Sequence, residues 1–475
     1  ADGAIAAGKA VTIEAGTGKA KQVGDTLPPT NTAAQTGSFG SNFLYWTGGM
    51  FYDEDHNKAI FCWYKSNRMY VTFGTYNSST GLYTWTNAVN DNGVINSAAG
   101  WHASSSIQNL CAEYRPSDEK LIFIFQPTSS GTSSTLVNTI GYVQLNVASG
   151  TATWNNNSTK LTVGSAGNAP ACSMALSPSG SLGCAVSEQG QSTYLQPFTL
   201  SGAGSFTLGS QVTLTNSAQK LHSSHQMRRG AITFVNETAA VLHTSLDLGS
   251  STTSQGLYPL TFSGVTVGVP AYSSFIELEA LIRTSGADYK PEQVAILSGN
   301  KLGFISITPT VMKVHVVDYN TTTPASSTVT TSSTTIAVDG QTDTPGPHYR
   351  SFAMVGRNTY SASGGRTALD DKFVVLYANT LRHDIYPVEF DGSTVSVKTK
   401  QSNATFDPRG GYNGTGGGTW NPDANHYAYE MGGAQGRVFK GLFHASNNLP
   451  QWVGINTASK TDGQTATITL PGGIN

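Results

Sequence analysis

Charge is scarce in this chain, and what there is nearly cancels. Asp, Glu, Lys and Arg make up 12% of 475 residues, with a formal net charge of −2. That is about half the usual charged share for a soluble domain. No basic surplus exists to attract nucleic acid or an anionic membrane surface. Long apolar runs are also missing: none approaches the 18 residues that a membrane-spanning helix needs. The opening ADGAIAAGKAVTI has neither a basic n-region nor an apolar h-region, so it does not read as an intact signal peptide. The common catalytic fingerprints GxSxG, HExxH and GxGxxG do not occur. Helical periodicity is nearly absent. Only residues 275–283 (FIELEALIR) fit a short helix, and they fit an inner strand equally well. There are four cysteines and no CxxC pair. Cys172 and Cys184 flank the turn SPSGS and are expected nearly opposite each other on adjacent strands. A disulfide is conceivable there, while buried free thiols are the plainer reading.

What is present is turn chemistry and β-propensity. Gly numbers 52, and Ser, Thr and Asn are frequent. The stretch YVTFGTYNSSTGLYTWTNAV from Tyr70 sets two aromatic and β-branched runs around a polar turn, which specifies a β-hairpin. Comparable hairpins begin at Tyr142, Tyr194, Leu257, Val314 and Ile385, about 63 residues apart on average. A second hairpin precedes each of the six. Examples are GGMFYDEDHNKAIFCWYK, LCAEYRPSDEKLIFIF and ALIRTSGADYKPEQVAILS. A seventh, TWNPDANHYAYEMGG, follows the last copy. The unit is therefore four strands, a-b-c-d. The fold class is all-β: a β-propeller of seven four-stranded blades, with six as the fallback.

The expected organisation follows. Residues 1–25 and 452–475 each read as two short strands. They are expected to form a small β module at the two chain ends. Residues 26–40 are a linker and 41–451 the propeller, whose blades fall at 41–97, 98–165, 166–217, 218–274, 275–346, 347–410 and 411–450. The last unit is one strand short, and residues 41–46 (SNFLYW) are expected to close the ring. The insertion at residues 358–366 is expected to face outward as a binding loop.

Candidate chemistry is thin. Residues 16–19 (GTGK) lack the spacing of a phosphate loop and read as a turn. Asp53-Glu54-Asp55-His56-Asn57 begins like a calcium loop. However, Lys58 stands where the turn Gly belongs and Tyr64 where the closing Glu belongs, so a solvated turn is expected. His222 and His225 lack a third metal ligand. Glu277 and Glu279 on an expected inner strand, and Asp370-Asp371 in an expected a–b turn, are the carboxylates a propeller glycosidase would draw on. Arg228, Arg229 and Arg409 could grip an acidic sugar. Trp85, Trp101, Trp154 and Trp420 lie near turns, where they fill the core more often than they stack on sugars. No catalytic, cofactor-binding or metal residue is assigned.

The two ends carry a resemblance. ADGAIAAGKAVTIEAGTGKAKQVGD resembles the opening of repeat-rich appendage proteins of marine bacteriophages, cyanophages especially. WVGINTASKTDGQTATITLPGGIN is similar to the segment those proteins place after their repeats. FYDEDHNKAIFCW matches their form "strand, D-x-x-x-x-K, apolar strand", and YRPSDEKLIFIF resembles it with the aspartate two residues before the lysine; CSMALSPSGSLGCAV and FVNETAAVLHT depart from it. The resemblance implies a non-catalytic virion structural protein: a tail fibre, spike or capsid-surface appendage for host attachment or virion decoration. Its place would be the virion surface or extracellular space. Its partners would be other virion proteins, a host surface glycan or protein, and copies of itself, with a homotrimer expected. The alternative is a secreted glycan-binding or glycan-degrading propeller, a lectin or depolymerase.

Overall fold

The structure, a computed structural model, describes residues 10–13, 20–22, 35–36, 46–65, 68–77, 82–90, 107–127, 138–154, 159–161, 171–189, 192–215, 232–247, 252–269, 274–282, 293–307, 311–337, 351–378, 383–398, 400–403, 416–422, 426–431, 437–441, 454–456 and 468–469. Among them there is no α-helix.

The ring strands group into four-stranded antiparallel units, each taken in chain order. Blade 1 is Trp46–Asp53, Lys58–Lys65, Arg68–Asn77 and Leu82–Trp85. Blade 2 is Ile107–Arg115, Lys120–Pro127, Asn138–Asn146 and Thr151–Trp154. Blade 3 is Ala171–Leu176, Gly183–Gln189, Ser192–Leu200 and Phe206–Leu208. Blade 4 is Ile232–Phe234, Ala239–Asp247, Thr252–Ser263 and Thr266–Gly268. Blade 5 is Ala295–Ile296, Lys301–Ile307, Val311–Asp318 and Thr328–Thr331. Blade 6 is Ser351–Ser361, Gly365–Ala378, His383–Phe390 and Val395–Val397. Blade 7 is Gly416–Asn421, His426–Met431 and Arg437–Gly441, joined by Gln35–Thr36. The first strands of blades 1, 2, 3 and 4 touch in succession, as do those of blades 5, 6, 7 and 1, and blades 4 and 5 share one apolar core. The chain is therefore a ring of radial sheets, a β-propeller.

Two local devices make these units. Side chains of a strand point alternately to its two faces, so each blade fills two cores. Cys111, Ile122 and Ile140 of blade 2 pack with Met174 and Phe198 of blade 3. The other face of blade 2, with Leu121 and Phe123, packs on Ile60 and Phe73 of blade 1. The turns supply the reversals. Between the first two strands of blade 5, Gly299 and Asn300 both take positive φ, at 62° and 63°. This is the type I′ arrangement that matches strand twist, and a Gly-Asn pair adopts it readily.

Polar stitches join blades at the a–b face. Lys58 donates from Nζ to the carbonyls of Val147 and Ala148 in blade 2, at 2.9 and 2.6 Å. Lys120 does the same to Gly202 of blade 3 at 2.8 Å. Beside it, Arg115 Nη1 donates to Leu200 O at 2.6 Å. The lysine that opens the second strand of blades 1 and 2 is thus a cross-blade stitch. Glu237 of blade 4 accepts from Ser179 N and Oγ of blade 3, both at 2.7 Å.

Several expectations are corrected. Ile276–Ile282 is neither helix nor inner strand: it pairs with Thr252–Ser263 as an outer strand of blade 4. The outer strand of a blade comes in two pieces, and this second piece has the alternation of an inner strand. Blade 5 accordingly starts at Ala295, with its first turn at Gly299-Asn300 and not within residues 283–293. The strand beside Arg437–Gly441 comes from Gln35–Thr36, inside the stretch read as a linker. Trp46 already belongs to blade 1. Cys172 and Cys184 are not opposite each other: Cys172 faces Ser187 across the ladder and Ala175 faces Cys184. Their side chains enter different cores, Cys172 toward blade 2 and Cys184 toward blade 4. All four cysteines are buried free thiols. Burial pushes the Cys172 thiol up, and its neighbour Cys111 adds to this. A thiol reagent should label none of the four in the folded protein and all four in denaturant. Mass spectrometry of the labelled peptides checks this, and a native adduct at any one contradicts it.

Outside the ring, Ala10–Ile13 pairs with Ala20–Gln22 on one side and Gly454–Asn456 on the other. Gly454–Asn456 pairs in turn with Ile468–Thr469. The two ends of the chain form one antiparallel sheet.

Candidate functional site

The first strands run the same way about the axis, so their a–b turns share one face. At this face the first hairpin of blade 6 is longer than the others, with strands of 11 and 14 residues. Its ladder is broken between Gly356 and Asn358, which pair with Phe373 and Ala368. Such a break bends a hairpin. Above the break the hairpin leans across the channel mouth and does not project outward. Residues 358–366 are thus a cap on the ring's own axis, which corrects the expected outward binding loop.

The cap is held on both sides. Tyr360 forms a parallel bridge with Asp53 of blade 1, and Glu54 N donates to Tyr360 O at 2.9 Å. Ala362 N donates to Asp55 Oδ2 at 2.6 Å. The Tyr360 ring lies edge-on to Phe51 at 5.5 Å and 5.8 Å from Tyr114 of blade 2. On the far side, Arg366 N donates to Pro178 O of blade 3 at 2.8 Å. Arg366 Nη2 donates to Phe234 O of blade 4 at 2.9 Å. Gly365 permits this contact: its φ is +62°, and a Cβ there would collide with the Pro178 carbonyl oxygen. Gly365→Ala should destabilise the protein by about 1–3 kcal/mol. It should also loosen the cap, measured as a lower denaturation midpoint and faster hydrogen exchange at residues 360–366. An unchanged exchange rate there would remove Gly365 from this role.

Asp53 anchors the blade 1 turn. It is 1% exposed and accepts from Tyr114 Oη at 2.6 Å, His56 N at 2.8 Å and His56 Nδ1 at 2.8 Å. Burial and the Asp53 carboxylate push the Tyr114 phenol far above its ordinary range, so it stays a donor. The Asp-Glu-Asp turn that begins like a calcium loop thus spends its oxygens on Tyr114, His56 and the cap. Among the described residues no group of three or more His, Cys, Asp or Glu is arranged to hold a metal.

The other singled-out carboxylates are dispersed. Glu277 and Glu279 lie on the outer strand of blade 4, where Glu279 meets Lys313 at 2.8 Å. Asp370 and Asp371 lie in a strand rather than a turn. Asp370 pairs with Arg357 at 2.9 Å. Asp371 accepts from Ser298 N at 3.0 Å and pairs with Lys301 at 3.0 Å, joining blades 5 and 6. Trp420 is 2% exposed and carries the Arg357 guanidinium 4.3 Å over its ring. It is a core residue between blades 6 and 7. Trp85 and Trp154 are half-buried against the cores of their blades. Residues 16–19, Trp101, His222, His225, Arg228, Arg229 and Arg409 lie outside the described residues.

One Ser–His pair escaped the sequence reading. Ser306 Oγ lies 2.7 Å from His315 Nε2, and His315 Nδ1 lies 2.9 Å from Thr331 Oγ1. Ser306 is 2% exposed and His315 fully buried, so no substrate reaches this pair. Burial, then the Lys313 charge, lowers the His315 pKa to about 4. A neutral imidazole bridging two hydroxyls is a structural bond across three strands. Only the cross-strand register of blade 5 brings the three residues together.

No protein-family model and no curated protein matches the chain. Solved structures do. A periplasmic gluconolactonase of Pseudomonas aeruginosa aligns at 11% identity and TM-score 0.41, over 84% of this chain and 96% of that one. The β-propeller domain of Cps50 (Swd1) from Myceliophteria thermophila aligns at 10% and 0.40, over 87% and 99%. An ancestral GH74 enzyme aligns at 11% and 0.42, over 92% of this chain and 53% of that one. At these scores and identities the likeness carries no inference about this chain; its own strand topology makes it an all-β β-propeller.

Proposed function

We propose that the protein is a non-catalytic virion structural protein, a tail fibre, spike or capsid-surface appendage. In this reading the propeller is a rigid head and the sheet of the two chain ends is its mount. The virion assignment rests on the resemblance of those ends to phage appendage proteins. The observation that carries the mounting role is the pairing of Ala10–Ile13 with Gly454–Asn456. Short strands of this kind lie in a four-stranded sheet whose outer members, Ala20–Gln22 and Ile468–Thr469, each pair with one neighbour. Strands of three or four residues make a poor independent body, and copies of the same sheet are natural partners in a symmetric oligomer. The cap lends support from the ring's axis. Two of the carboxylates facing it, Asp53 and Asp55, are occupied as acceptors.

Deleting residues 1–25 should leave a folded ring, with β-sheet circular dichroism and cooperative melting, that no longer forms the trimer. Light scattering on the full chain and the truncation checks this. A truncation that keeps the full oligomeric mass overturns the mount. Turnover of host polysaccharide by the purified full chain overturns the non-catalytic reading.

A further inference from the structure

Beneath the cap the axis holds a cavity of about 40 Å³. Its lining comes from five blades and includes Glu113, Thr233, Asn358 and Arg366, while the Gln293 amide at its edge is already bonded to Gly418 of blade 7. Asn358 is 8% exposed, and its Oδ1 is buried without a hydrogen-bond partner. The Nε of Arg366 is buried without a partner as well. A buried amide oxygen or guanidinium N–H left unmade costs far more than a made bond returns, so a partner is required from within the cavity.

We infer that this cavity is a built site for bound water, two or three molecules that join the blade 6 cap to the inner strands of blades 2 and 4. Two properties select water. Each molecule needs about 10–15 Å³ of such volume and two to four polar partners, which this space and lining supply. The Glu113 carboxylate and the Arg366 guanidinium both line the space, so neither a lone cation nor a lone anion is favoured. The water donates to Asn358 Oδ1 and accepts from Arg366 Nε. If the Asn358 amide is flipped, its NH₂ faces the same space and the water accepts from it.

A crystal structure of the full chain at about 1.5 Å should show discrete density within hydrogen-bond distance of Asn358 and Arg366 Nε. Asn358→Leu should expel it and speed hydrogen exchange of residues 360–366 at least tenfold, while Asn358→Asp retains both. An empty cavity, an ion or an organic molecule in its place, or Leu-variant exchange equal to wild type overturns the assignment. If the Leu variant does not fold, the wild-type density decides alone.

Discussion

Asp53→Ala should cost the folded protein about 3–5 kcal/mol, more than any other single polar substitution at the capped face. The carboxylate is fully enclosed and accepts three bonds. Its loss also strands Tyr114 Oη, a buried donor that cannot ionise away its need for an acceptor. Tyr114→Phe alone should cost about 2 kcal/mol, by leaving one carboxylate oxygen short of a donor. The double variant should cost clearly less than the sum, because removing both partners leaves neither stranded. Urea midpoints of the four proteins close this cycle. The cap gives an independent readout: the bridge from Asp53 to Tyr360 should weaken, and exchange at residues 360–362 should rise. Additive costs, or a loss under 1 kcal/mol for Asp53→Ala, would exclude Asp53 as the anchor of this joint.

The same region shows what a sequence can and cannot disclose. The hairpins were legible because their signals are local: Asn-Ser-Ser-Thr-Gly or Ser-Pro-Ser-Gly between apolar runs fixes a reversal wherever it occurs. Blade 1 from Trp46 to Trp85 follows that reading. The direction of the blade 6 hairpin was not legible. Its tip, Ala-Ser-Gly-Gly, specifies a turn but not the Pro178 carbonyl that receives Arg366 N or the Asp55 carboxylate that receives Ala362 N, which lie 188 and 307 residues away. Ile276–Ile282 was misplaced because an outer strand packed on a neighbouring blade has the same period as an inner one. Gln35–Thr36 was missed because two polar residues pairing through their backbone carry no apolar pattern. Cys172 and Cys184 show how parity decides. With the ladder pairing Ala175 to Cys184, the two thiols fall on opposite faces of the sheet.

The cap also bears on how the ring holds together. Adjacent blades bury apolar faces against each other, so most contacts run between neighbours. The cap adds contacts that skip neighbours, from blade 6 to blades 1, 3 and 4. These tie the ring across its axis, independently of the two-residue pairing of Gln35–Thr36 with Arg437–Gly441.

Stability should fall by about 3 kcal/mol between pH 6.5 and pH 4 on account of His315 alone. The folded chain holds this imidazole at a pKa of about 4, against an ordinary value of 6.5. Above pH 6.5 the group is neutral in both states, and its contribution does not change with pH. From 6.5 down to about 4 the unfolded chain takes up a proton that the folded chain refuses. The unfolded state therefore gains, at about 1.4 kcal/mol per pH unit. Below 4 both states are protonated and the loss is complete. The refusal has a visible cause. His315 is enclosed between Ser306 and Thr331, with Lys313 the nearby charge, and no carboxylate is hydrogen-bonded to the ring. Carboxylates elsewhere add acid sensitivity of their own, so the comparison must be with a variant. His315→Gln keeps a polar group between the two hydroxyls and removes the titration. Its unfolding free energy by urea should fall less steeply than wild type across this window, the two curves converging by about 3 kcal/mol. Parallel curves would show that His315 titrates in the folded state near its ordinary value, and that the Ser306–His315–Thr331 bridge opens to solvent.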